Sequence, residues 1–112
     1  MQVVESDRVA FFDCDETLIF WEEQPHNLPT VIINGREFQV HNVHLDRMKR
    51  YFTMGWPVVV WSGSGYKWAK QVCEALGVAD KVTLVMSKPH RIFDDQVDIS
   101  KTLIHGYMPL KD

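Results

Sequence analysis

Residues 8–13, RVAFFD, and 57–61, PVVVW, are apolar runs without the polar alternation of a half-solvated strand. Such runs predict short strands buried on both faces, as in a parallel sheet. Between them the pattern changes twice. Residues 30–40, TVIINGREFQV, hold Asn34-Gly35 between β-branched and aromatic residues. That is the signal of a tight hairpin, whose two central positions need positive φ. Residues 43–54, VHLDRMKRYFTM, carry Leu45, Met48 and Phe52 at helical spacing, with Gly55 as a stop. A second helix is predicted from about residue 66 to 76 through Trp68, Val72 and Leu76, ended by Gly77. Residues 82–86, VTLVM, predict a third strand, and residues 91–94, RIFD, a short fourth. Apolar strands separated by amphipathic helices imply an α/β domain with a mostly parallel sheet.

Composition narrows the class. A chain of 112 residues, 46% hydrophobic with 13 aromatics, is expected to form one domain with its own core. The formal charge of -3 gives no global attraction to nucleic acid or to an anionic membrane. Arg47, Lys49 and Arg50 are expected to form a solvated helix face, with a phosphate-rich partner as the minor alternative. Cys14 and Cys73 are far apart and show no CxxC spacing, which favours a reducing compartment over a disulfide framework. The opening MQVVESDR has no apolar leader core, and no run approaches the ~18 residues that span a bilayer. A cytoplasmic protein without membrane contact is the expectation.

Parallel sheets place their sites at the carboxyl ends of the strands. By that rule the first strand ends in Asp13 and Asp15, the second in Ser62 and Gly63, the third leads to Lys88, and the fourth ends in Asp94 and Asp95. Alternation along a strand turns Asp13 and Asp15 the same way and Cys14 the other, so a catalytic thiol is not expected. Clustered carboxylates repel unless a cation sits among them, and a hard divalent ion with oxygen ligands, Mg²⁺ first, suits the set. Ser62, the Gly63 amide and the Lys88 ammonium are donors for anionic oxygens. With a phosphate bound, one carboxylate can attack phosphorus while the other moves protons. Of the five histidines, His41 and His44 are expected at the polar surface. Trp21, Trp56, Trp61 and Trp68 are expected in core or flap packing, with Trp21 and Phe20 as an alternative lining of the substrate entrance.

The ordered set Asp13-Cys14-Asp15-Glu16-Thr17-Leu18, Ser62, Lys88 and Asp94-Asp95 resembles the four motifs of the haloacid dehalogenase-like (HAD) phosphatases, small phage and bacterial members in particular. The resemblance implies a Rossmann-like three-layer sandwich with a β-hairpin flap over about residues 20–42 and no large cap domain. It implies Asp13 as nucleophile and metal ligand, and Asp15 as general acid/base with its main-chain carbonyl on the metal. Thr17 would orient the loop, Ser62, Gly63 and Lys88 would hold the phosphoryl group, and Asp94 would bind Mg²⁺ supported by Asp95, with Asp98 as the alternative. The implied activity is Mg²⁺-dependent hydrolysis of phosphate monoesters through an aspartyl-phosphate. The phosphorylated substrate is a small molecule, a nucleic-acid end or a phosphoprotein. The alternative is a catalytically weak phosphate- or metal-binding module that acts with a partner.

Two spacings bear on this. Only 44 residues separate Thr17 from Ser62, which leaves room for a flap and a helix, so the site should be open or lidded by a second copy. Only five residues separate Lys88 from Asp94, fewer than a parallel crossover needs.

Overall fold

Two small sheets with opposite habits share one core. The computed structural model describes residues 1–96 and residue 98. The elements are β1 (Ala10–Asp13), β2 (Ile19–Phe20), β3 (Thr30–Ile33), β4 (Arg36–Val40), α1 (Asn42–Thr53), β5 (Val58–Ser62), α2 (Tyr66–Ala75) and β6 (Leu84–Ser87). The first sheet is parallel, with strand order β1-β5-β6, and the second is antiparallel, with order β2-β4-β3. The chain is therefore an α/β fold with a small parallel sheet and a separate hairpin sheet.

Local chemistry explains the boundaries. Asn34 and Gly35 both take positive φ, 52° and 77°, so the hairpin closes with the tight turn its sequence predicts. Gly55 (φ 78°) follows α1, where a residue with a side chain would be strained. His41 caps the start of α1, its side chain accepting the N–H of His44.

The parallel register brings Phe12, Val60 and Val85 side by side on one face, with Val58 behind them. Phe12, Val58 and Val60 are buried, and they pack with Met48 of α1 and with Ala69, Val72 and Cys73 of α2. Leu18 of the preceding turn and Ile19, Ile33 and Phe38 of the second sheet enter the same cluster. The hairpin is thus a fixed wall of the core, and Asn34 at its tip exchanges amide hydrogen bonds with Gln71 of α2.

The opposite face of the parallel sheet carries Phe11, Val59, Trp61, Leu84 and Met86 by alternation. Phe11 is 50% and Met86 37% exposed, and the Phe11 and Trp61 rings meet at 4.7 Å. Both crossovers run in the same direction across the sheet, so both helices fall on the Phe12–Val60 face. The helices and the parallel sheet make two layers among the described residues.

One expected element is absent. Residues 91–94 form no strand, and Ile92 (59%) and Phe93 (96%) are exposed. The five residues after Lys88 cannot carry a crossover, so residues 91–94 cannot join the sheet in parallel. No helix of the described residues is long and apolar enough to cross a membrane.

The uneven burial of the two sheet faces predicts unequal mutational losses. Met48→Ala, at a fully buried position, should cost about 2–5 kcal/mol in urea unfolding. Met86→Ala, on the open face, should cost under about 1 kcal/mol. Equal losses would contradict the difference in burial between these two positions.

Candidate active site

The main-chain carbonyl of Cys14 accepts three N–H groups, from Thr17 (3.2 Å), Leu18 (2.8 Å) and Ile19 (3.2 Å). Glu16 takes a left-handed φ of 62°, and its N–H bonds to the Ile19 carbonyl at 2.8 Å. The chain therefore leaves the sheet in a tight turn directly after Asp13. Burial alternates through this stretch, with Phe12 and Cys14 enclosed and Asp13 and Asp15 partly exposed, and the two carboxylates acquire different partners.

Asp13 Oδ2 pairs with Lys88 Nζ at 3.3 Å. Lys88 reaches it because β6 runs alongside β5 and the Lys88 N–H bonds to the Ser62 carbonyl at 2.9 Å. The third strand of the parallel sheet alone delivers the lysine, whatever path the chain takes beyond it. Asp13 and Lys88 are half-exposed, so the pair is open to an incoming anion.

Asp15 sits among neutral donors. Its Oδ1 accepts the indole N–H of Trp68 at 2.8 Å and that of Trp21 at 3.0 Å, and its Oδ2 accepts the hydroxyl of Ser64 at 3.3 Å. Trp68 projects from α2, and Trp21 follows β2, so helix and hairpin meet at this carboxylate. The two indoles lie 5.6 Å apart, and Phe38 packs edge-on to both. Arg36 covers the outer side of Trp21 at 4.7 Å and bonds to its carbonyl.

Ser62 is buried, and its hydroxyl accepts the N–H of Ser64 at 3.0 Å. It shapes the turn, and Ser64 is the serine whose hydroxyl reaches an acid. Gly63 is exposed with open space at its Cβ position. Gly65 (φ 106°) opens α2, and the following Tyr66 N–H bonds to the Ser87 hydroxyl at 2.9 Å. Thr17 is held through its carbonyl, which lies 2.6 Å from His44 Nδ1.

The acidic end of the expected set is not assembled. Asp94 and Asp95 are exposed outside any strand, and Asp94 Oδ1 accepts the N–H of Gln96 in a local turn. Asp98 is exposed as well. Among the described residues no group of three or more His, Cys, Asp or Glu side chains is placed to hold a metal ion. Among the described residues Asp94 and Asp95 therefore do not join Asp13 in the expected three-carboxylate Mg²⁺ set. The donor that remains beside Lys88 is the Asp13 carboxylate, with the Asp15 main chain next to it in sequence.

The histidines are a second correction. His41 and His44 are buried (7% and 1%) with rings stacked at 3.3 Å, and Phe20 stacks on His41. His41 occupies the cap position of α1, and His44 anchors the turn that carries Thr17. Hydrogen bonds to the main chain satisfy polar rings that the core encloses. Trp68 and Ser64 left weak traces: an indole N–H in a packed helix needs an acceptor, and the nearest one lies 53 positions away in sequence.

Cys14 and Cys73 are buried free thiols. Burial, with smaller contributions from Cys73, Asp13 and Asp15, pushes the Cys14 thiol far above its ordinary range. Burial, with Glu74 adding to it, pushes Cys73 up to about 11. Neither is a nucleophile at neutral pH.

Comparison with protein-family models, with curated proteins and with solved structures gives no match. The buried thiols make a direct test of the packing beside Asp13. In the native protein at pH 7.5 both cysteines should resist iodoacetamide, whereas in denaturant both should react. Mass spectrometry of alkylated peptides reads this, and rapid native labelling of Cys14 would show that the Asp13 turn is not closed as described.

Proposed function

We propose that the chain is a phosphatase that hydrolyses phosphate monoesters through an aspartyl-phosphate on Asp13. The observation that carries the reading is the ion pair between Asp13 and Lys88 at the carboxyl ends of β1 and β6, with Asp15 on the adjoining turn. The membership in the haloacid dehalogenase-like phosphatases, with a Rossmann-like three-layer sandwich, belongs to the same reading, as does a cytoplasmic setting.

Lys88 has two uses in it. Before substrate arrives, its ammonium lies against the carboxylate of Asp13. When a phosphate arrives, the ammonium donates to phosphoryl oxygens and offsets their charge. Asp13 then attacks phosphorus, and Asp15 protonates the leaving oxygen. Water, deprotonated by Asp15, cleaves the intermediate and returns Asp13 as a carboxylate. Thr17 takes part through the turn that its carbonyl fixes. Ser62 and Gly63 shape the loop at the end of β5, and Ser64 touches Asp15. Mg²⁺, held by the Asp13 carboxylate and the Asp15 main-chain carbonyl, would add positive charge on the transferring group.

A second reading is a phosphate-binding module that acts with a partner or a second copy. Its support is specific: Asp94 and Asp95 stand away from any strand, and the Phe11–Trp61–Met86 face is partly exposed.

Hydrolysis of an aryl phosphate, measured with Mg²⁺ and with chelator, separates the two. The expected result is turnover that depends on Mg²⁺ and falls at least about 10³-fold in Asp13→Asn. A folded protein that binds inorganic phosphate without turnover would favour the binding module. Equal turnover in the native chain and Asp13→Asn would remove Asp13 from the chemistry.

A further inference from the structure

The partners of Asp15 differ in what they can do with a proton. An indole N–H is a donor only, whereas a hydroxyl both donates and accepts. Oδ1 faces two indole donors, Trp68 Nε1 at 2.8 Å and Trp21 Nε1 at 3.0 Å. A proton placed on Oδ1 would meet both N–H groups head-on. Oδ2 faces the Ser64 hydroxyl at 3.3 Å, which can rotate to donate to a carboxylate or to accept from a carboxylic acid. The donor set therefore distinguishes two oxygens that are equivalent in a free carboxylate.

From this the geometry points to Trp68 and Trp21 as positioning residues that confine the exchangeable proton of Asp15 to Oδ2. The inference rests on the phosphatase reading and adds a role for residues outside the four motifs. The proton balance is simple. Oδ2–H gives its proton to the bridging ester oxygen as the P–O bond breaks, and the electron pair leaves with that oxygen as the alcohol. Oδ2, now part of a carboxylate, takes a proton from the water that attacks the aspartyl-phosphate. Inorganic phosphate leaves, Asp13 is a carboxylate again, and the proton taken from water is held on Oδ2 of Asp15. Oδ1 stays bonded to both indoles throughout, so the carboxyl plane need not turn between the two half-reactions.

Aromatic packing explains how the indoles are held. Phe38 stands edge-on to both tryptophans, which are tilted against each other, in one cluster between β4, α2 and the turn after β2, and Arg36 covers Trp21. Replacing Trp68 by Phe keeps an aromatic ring in that cluster and removes the N–H.

The test compares two substrates that differ in their need for a proton. An alkyl phosphate leaves only with protonation, whereas 2,4-dinitrophenyl phosphate leaves as a stable anion. For Trp68→Phe, kcat/KM on the alkyl phosphate, which reports the steps up to P–O cleavage, should fall about tenfold, the loss of one hydrogen bond to a charged group. On the dinitrophenyl ester it should fall less than about twofold by the same reasoning. Equal losses on both esters, or no loss on either, would overturn the positioning role and leave the phosphatase reading standing. A native chain that hydrolyses neither ester would overturn that reading, and this role with it. If Trp68→Phe does not fold, Trp21→Phe carries the same expectation.

A readout independent of turnover accompanies it. The chain has four tryptophans, and Asp15→Asn should move two of the four indole N–H resonances, those lost on Trp21→Phe and Trp68→Phe. Unmoved indole resonances in Asp15→Asn would overturn the inference.

Discussion

Three amides converge on the carbonyl of Cys14, and the rest of the molecule is arranged around that turn. It ends β1 at Asp13, so the acid stands at the rim of the parallel sheet. It lowers Leu18 and Ile19 into the core, where β2 begins the second sheet. It also sends Asp15 towards α2. A single backbone device thus divides the acids between two environments. Asp13 meets an ammonium, and Asp15 meets neutral donors. His44, buried at the start of α1, holds the turn by its contact with the Thr17 carbonyl, which couples the loop to the helix.

The hairpin sheet has more than one task. Ile33 and Phe38 bury themselves with the residues of the parallel sheet, and Asn34 ties the tip to α2. A wall fixed in this way can hold Trp21 against Asp15 at a set distance.

Much of the fold was legible from the chain. The apolar runs at β1 and β5 could be read because a strand buried on both faces needs no polar alternation. Asn34-Gly35 marked the hairpin because few other pairs accept positive φ twice. Lys88 was legible only as a residue after a strand, and its pairing with Asp13 depends on β6 lying next to β5. The short fourth strand failed for a reason also present in the sequence: five residues cannot make a parallel crossover. His41 and His44 were misplaced because polarity alone does not say whether the main chain supplies hydrogen-bond partners inside.

The sequence by itself determined the three apolar strands of the parallel sheet, the hairpin at Asn34-Gly35, the two helices, and that two acids follow the first buried strand. These are local matters, decided by side-chain periodicity and by the few residues that tolerate left-handed backbone. Tertiary structure alone decided the partner of each acid. Lys88 lies 75 positions from Asp13, and Trp68 lies 53 positions from Asp15. Contacts at such separations follow from strand order and helix docking, which depend on how the whole core closes and not on any one stretch of chain.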